Sequence, residues 1–306
     1  MKRRDLLQLS AGLGIAASFA KSSLGASSMD ASETPMSAVA ASNPLHPPAQ
    51  GRIPVAFLLS EGAVVIDFTG PWEVFEQVGV PGSSVPAFEL YTVAETTKPI
   101  HTSGGMVVIP NHSFATAPAP KIIVIPAQSA PSAATIKWIR DATKSTDVTM
   151  SVCTGAFVLA KTGLLSGKQV TTHHAAFNQL AMQFPDVQVK RGARFVESGN
   201  LATAGGLSSG IDLALHVVER YYGRAVAMST ADDLEYQGLG WMDADSNQKY
   251  VAVRISTDGH PLCPVCEMDV DASSAPSSAY QGRTYYFCMA DHKNMFDAHP
   301  EKYIHA

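Results

Sequence analysis

From Arg52 onward, short β-branched apolar runs alternate with longer helical patterns, and this alternation restricts the fold more than any other feature of the chain. Ile53–Leu59, Phe88–Val93, Lys121–Ile125, Val148–Val152 and Gln169–Thr172 read as strands. Ser132–Lys144, Thr154–Thr162, Ala175–Phe184 and Ser208–Tyr222 read as helices. The run Lys121-Ile-Ile-Val-Ile-Pro126 is continuously apolar, as expected of a parallel strand covered on both faces. The predicted architecture is therefore α/β, a doubly wound and mainly parallel sheet in a three-layer sandwich ending near Trp241.

The N-terminus has a different character. Met1-Lys-Arg-Arg-Asp precedes an uncharged, small-residue apolar stretch from Leu9 to Ala20, the layout of a secretory signal too short to span a bilayer comfortably. Arg3-Arg4 followed by Leu6-Leu7 marks it as a twin-arginine signal, so the expected partner is the Tat export machinery and the expected location periplasmic or otherwise exported. Cleavage after Ala20, Ala26 or Ala40 fits the small residues there. The predicted layout is a signal over 1–26, a disordered Ser/Ala/Pro-rich tether over 27–51, the sandwich over 52–242, a linker over 243–257 and a small tail domain over 258–306. Loss of residues 1–26 moves the formal charge from −5 to −8, with 18 basic against 26 acidic side chains. An acidic chain without a basic stripe excludes nucleic acid as the expected partner.

Within the sandwich, Met150-Ser-Val-Cys153-Thr-Gly-Ala turns abruptly from strand to helix. A cysteine there sits at a helix N-terminus, which predicts a thiol pKa below that of free cysteine; the alternative is a small buried hydrophobe. The carboxyl ends of strands in such a sheet are also where ligands bind. Asp67, in Ile66-Asp67-Phe-Thr-Gly-Pro-Trp-Glu73, is the first candidate for proton transfer, or else a cap for a helix opened by Pro71. Glu73 and Glu61 are weaker candidates, and His173 and His174 follow a strand that could bring them near.

The tail carries three of the four cysteines. Cys263-Pro-Val-Cys266 offers two thiolates to one ion, and Cys288 with His292 can complete a tetrahedron. Three thiolates and an imidazole suit zinc or copper. A disulfide between Cys266 and Cys288 remains the alternative in an oxidising compartment.

The sequences D-F-T-G-P-W-E-V-F at 67–75, C-T-G-A-F-V-L-A-K-T-G-L-L-S-G-K at 153–168, T-T-H-H at 171–174 and A-G-G-L-S-S-G-I-D-L-A-L-H at 204–216 together resemble the ThiJ/PfpI superfamily. The resemblance is strongest to the branch holding isonitrile hydratases and the ligand domains of certain transcription regulators. It implies a flavodoxin-like sandwich of the class I glutamine-amidotransferase type, commonly dimeric, with Asp67, Cys153 and Thr154 lining one small pocket. Where the superfamily usually has glycines after the strand ending at Ile125, this chain has Ala127-Gln128-Ser129, with the Gln128 amide as a substitute donor. C-P-V-C-E-M at 263–268, Y-Q-G-R-T-Y-Y-F-C at 280–288 and F-D-A-H-P-E-K-Y at 296–303 resemble the YHS family, which implies a small α+β metal-binding domain. In that family cysteine usually stands at the position of His292 and glycine at that of Glu267.

Two functions follow as expectations. One is an exported, cysteine-dependent hydro-lyase of isonitrile-hydratase type acting on a small electrophilic substrate, with a metal ion held by the tail. The other is a non-catalytic protein that senses or carries a small ligand or metal.

Overall fold

The computed structural model describes residues 43–251 and 257–304; the predicted export signal and most of the predicted tether lie outside the described residues. The end of that tether is not free. Leu45 N–H donates to the Arg220 carbonyl at 2.8 Å, and the Arg220 guanidinium donates to the Asn43 carbonyl at 2.8 Å.

The central sheet is built from β1 (Ile53–Leu58), β2 (Phe88–Ala94), β5 (His112–Ser113), β6 (Ile122–Ile125), β7 (Val148–Ser151), β10 (Phe195–Ser198) and β11 (Leu201–Ala204). Its seven strands run in the order β10-β11-β7-β6-β1-β2-β5. All neighbours pair in parallel except β10 with β11. The two-residue strands β3 (Ile100–His101) and β4 (Val107–Val108) form a separate ribbon.

Strand periodicity sorts the core into two layers. Val55, Phe57, Ile122, Val124, Val148 and Met150 face one side, packed with α1 (Val65–Gln77) and residues of two later helices, α5 (Ser209–Tyr222) and α6 (Arg224–Asp233). Ala56, Leu58, Ile123 and Ile125 face the other, covered by α2 (Ala133–Thr143), α3 (Gly155–Lys161) and α4 (Phe177–Gln183). This is the expected doubly wound sandwich.

One predicted strand goes elsewhere. Gln169–Thr172 does not enter the sheet: β8 (Gln169–Val170) pairs only with β9 (Gln188–Val189), and β11 takes the place beside β7. The two threonines explain the difference, because Thr171 N–H donates to Thr203 Oγ1 at 2.8 Å and Thr172 Oγ1 to the Cys153 carbonyl at 2.8 Å. Side-chain bonds thus replace ladder bonds.

In the tail, β12 (Ser277–Tyr280) and β13 (Arg283–Tyr286) form an antiparallel hairpin. Its turn residues Gln281 and Gly282 both have positive φ, 48° and 76°, as a two-residue primed turn requires. The helix α7 (Ala290–Ala298) packs its Phe296 with Cys263, Val265 and Phe287, a core of very few large side chains.

Candidate active site and metal centre

Cys153 lies between β7 and α3 with φ 57°, a left-handed conformation strained for a side-chain-bearing residue. The turn is fixed on both sides. Val152 N–H donates to the Ile125 carbonyl and Cys153 N–H to the Gly205 carbonyl, each at 2.9 Å. Gly155 is obligatory, since a Cβ there would stand 2.2 Å from the Ile125 carbonyl oxygen. The abrupt turn inferred at Cys153 is therefore present, held by the ends of β6, β7 and β11.

Asp67 is fully buried and reaches the same region from the first turn of α1. Its helix begins at Val65, six residues before Pro71, so Pro71 sits inside the helix and does not open it. Nor does Asp67 cap it: Val64 is the cap residue, and Asp67 Oδ2 instead accepts from the Ala127 N–H at 3.1 Å. Oδ1 is buried with no hydrogen-bond partner. Burial pushes the Asp67 carboxyl up to about 6, with the Ala127 N–H opposing weakly.

The thiol departs from the sequence expectation. Cys153 is only 7% exposed, and its pKa is pushed up to about 11, first by burial and second by the Asp67 charge. The Leu207 N–H, the Thr154 N–H and the Thr154 hydroxyl all donate toward the sulfur, and together they fall short of offsetting burial. The helix N-terminus beside the sulfur belongs to α3, which is only seven residues long and does not reverse the shift. At neutral pH the negative charge of this pair rests on the carboxylate, and the sulfur keeps its proton.

Of the three residues expected to line one pocket, Thr154 alone borders a cleft of about 290 Å³, whose other walls include Gln128, Phe157, Lys161, Gln179 and Gln183, while Cys153 and Asp67 are buried and do not border it. Gln128 Oε1 is held by the Ser60 N–H at 2.6 Å, which leaves its amide N–H₂ to offer to a ligand. The alanine at 127 is accommodated without a left-handed backbone: among the described residues neither Ala127, Gln128 nor Ser129 has positive φ. Glu61 and Glu73 are exposed; the Glu61 carboxylate accepts from the His101 N–H at 3.2 Å, and its carbonyl from the Ser129 N–H at 3.0 Å. His173 packs against Gly206, where a Cβ would meet its ring at 2.5 Å, and lies tilted against the His174 ring, which stacks in turn on Tyr250.

Sequence reasoning missed the Leu207 N–H group and the Thr172 hydroxyl that fastens the elbow carbonyl. The Gly205-Gly206-Leu207 run was the available signal. Leu207 itself has φ 34°, and its N–H donates toward the sulfur.

The fold and this elbow together have a counterpart among known proteins. A profile of the DJ-1/PfpI family matches residues 54–220. The chain belongs to the DJ-1/PfpI family. A YHS domain profile matches residues 263–306. An isonitrile hydratase of Pseudomonas putida is 31% identical over 197 residues, covering 63% of this chain and 82% of that protein. The HTH-type transcriptional regulator GbdR of Pseudomonas aeruginosa is 22% identical over 201 residues, or 53% of its length. Among solved structures, a ThiJ/PfpI family protein from Pseudomonas syringae aligns with TM-score 0.55 and 24% identity, covering 62% of this chain and 77% of that one. Drosophila melanogaster DJ-1beta aligns with TM-score 0.52 and 20% identity over 61% of this chain and all of that one. These two likenesses concern the fold.

The second site of this DJ-1/PfpI family member lies in its YHS domain. The ligand atoms of Cys263, Cys266, Cys288 and His292 all fall within 4.8 Å of one another. Cys266 and Cys288 Sγ are 3.6 Å apart, Cys288 Sγ and His292 Nδ1 3.2 Å, and Cys263 Sγ and His292 Nδ1 3.7 Å. A tetrahedral ion with metal–sulfur bonds of about 2.3 Å needs ligand separations near 3.7 Å, so the four donors fit one. All four cysteines are free thiols, and the sulfurs of Cys266 and Cys288 stand well beyond disulfide bonding distance. Hydrogen bonds from Cys266 and His292 bring the Cys263 thiol well down against the cost of burial, while donating to Cys263 drives the Cys266 thiol upward.

Proposed function

We propose that this chain is an exported hydratase that adds water to a small isonitrile through Cys153, with Asp67 as proton carrier and a zinc or copper ion held by the YHS domain. The observation that carries the reading is the pairing of a strained elbow cysteine with a fully buried carboxyl whose pKa is pushed up to about 6, close enough to neutrality to take and return a proton. The likeness to an isonitrile hydratase supports the substrate class.

Asp67 accepts the thiol proton as Cys153 Sγ bonds to the terminal carbon of R–N≡C. It then returns that proton to the same carbon, giving the thioimidate R–N=CH–S-Cys153. Water adds across the C=N bond, oxygen to carbon and hydrogen to nitrogen. The C–S bond then breaks, the sulfur regains a proton passed from the hydroxyl through Asp67, and N-substituted formamide leaves. The Leu207 and Thr154 donors stabilise the sulfur while it carries charge, and it carries charge only transiently. In this scheme the metal serves the tail, folding a segment too small to build a core alone. Dimerisation and the absence of a nucleic-acid partner belong to the same proposal.

Acid quenching of the full chain during turnover of an alkyl isonitrile, followed by peptide mass analysis, tests the covalent step. An adduct of the full substrate mass on the Cys153 peptide is expected. Formamide release with no such adduct in wild type, and undiminished in Cys153→Ala, would refute it. A binding protein in place of an enzyme is favoured by one observation, the protonated resting thiol; saturable isonitrile binding without formamide would select it.

A further inference from the structure

Glu267 directly follows the ligand Cys266, and its N–H donates to the Cys263 carbonyl at 2.7 Å, so it is part of the turn that sets two metal ligands. Its φ is 59°, a conformation that glycine adopts freely and glutamate does not. A charged side chain kept at a glycine-favouring position has a partner here. Asn178 of α4 donates its amide to Glu267 Oε1, and Arg191 stands 3.8 Å from Oε2. Arg191 also donates to Asn178 Oδ1 and lies over the Phe177 ring at 5.6 Å, so all three sandwich groups are fastened to α4. The same helix supplies Gln179 and Gln183 to the cleft beside Thr154.

We infer that the Asn178–Arg191 pair is a docking site for Glu267 that latches the metal turn onto the cleft wall, so that filling the Cys263/Cys266/Cys288/His292 site orders α4 and ordering α4 tightens the metal site. The inference rests on the metal reading above. Coupling between the two is reciprocal by thermodynamic necessity: whatever ordering of α4 the ion produces, a ligand that orders α4 returns as metal affinity. The latch groups are themselves partly exposed, 43% for Arg191 and 44% for Glu267, so its effect is modest and sensitive to salt.

Amide hydrogen exchange of the full chain, with and without one equivalent of zinc, reads the latch without any assay of activity. Zinc uptake is measured in the same samples by elemental analysis. In wild type, zinc should slow exchange across Phe177–Gln183 about threefold, the effect of one partly exposed charged contact. In Glu267→Gly, which relaxes the turn and keeps all four ligands, and in Arg191→Ala, zinc should bind and leave α4 exchange unchanged. Equal slowing in all three proteins, or no slowing in a zinc-loaded wild type, overturns the latch. If wild type takes up no zinc, the metal reading has failed by itself, and the metal-free comparison decides the latch: α4 must exchange faster in Glu267→Gly than in wild type, and equal rates overturn it.

Discussion

Replacing Asp67 by asparagine should shift stability in favour of the variant as pH rises from acid to neutral. The carboxyl is fully buried, one of its oxygens has no partner, and its pKa rises from 3.8 to about 6 on folding. Because the folded-state value is the higher, the native state holds this proton more tightly than the unfolded chain does. Stability from that proton is complete below about pH 4 and is lost as pH rises through about 6. A rise of roughly two pH units in the titration midpoint corresponds to about 2–3 kcal/mol at pH 7.5, and most of that is absent at pH 4. Asparagine keeps the acceptor for the Ala127 N–H and buries an amide N–H₂ in place of the orphaned Oδ1, at a cost of about 1–2 kcal/mol that does not vary with pH. The difference between variant and wild type should therefore shift by about 2 kcal/mol in favour of the Asp67→Asn protein between pH 4 and 7.5, whatever its absolute sign. Urea unfolding at both pH values measures it. A difference independent of pH, or one moving the opposite way, would mean that Asp67 is not a strained buried carboxyl and would remove the basis for its proton-carrying role.

The Cys153 thiol should alkylate with an inflection near pH 11, well above free cysteine, and Asp67→Asn should lower that inflection without bringing it beneath about 8.5, because burial is the larger cause; stopped-flow alkylation with the tail cysteines replaced reads it. Gly155→Ala should cost about 3 kcal/mol or prevent folding, since its Cβ meets the Ile125 carbonyl at 2.2 Å; a loss under about 1 kcal/mol in chemical unfolding would show that the elbow can relax. Cys266→Ser or Cys288→Ser should abolish tight binding of one ion per chain, and His292→Ala should weaken it, as measured by competition with a chromogenic chelator. Lysine at positions 3 and 4 should leave an unprocessed precursor in the cytoplasm, detectable by fractionation and mass; processing at the normal rate would refute the twin-arginine reading.

The sandwich was legible because buried parallel strands must be apolar on both faces, and Lys121–Ile125 and Val148–Val152 carry that pattern into β6 and β7. Gln169–Thr172 misled because threonine favours strands by propensity, while here the Thr171 N–H donates to the Thr203 hydroxyl and the Thr172 hydroxyl to the elbow carbonyl. The cluster of Cys263, Cys266, Cys288 and His292 was legible from spacing, since a turn, a hairpin and a short helix bring those positions together over a short span of chain. The protonation state of Cys153 was not legible. It depends on how deeply the elbow is covered and on Asp67, which arrives from a helix far away in sequence, and neither burial nor long-range charge leaves a local pattern. The Glu267 latch was hidden for the same reason: its partners Asn178 and Arg191 belong to a distant part of the chain, Asn178 lying 89 residues away.

Turnover of a simple alkyl isonitrile by the full metal-loaded chain, followed by proton NMR of the formamide in wild type and Cys153→Ala, tests the central claim most directly. The account predicts steady N-alkylformamide production by wild type and none above the buffer blank from Cys153→Ala, with Asp67→Asn reduced by about a hundredfold or more, as loss of a positioned proton carrier demands. No formamide from wild type, or equal rates with and without the Cys153 sulfur, would contradict it.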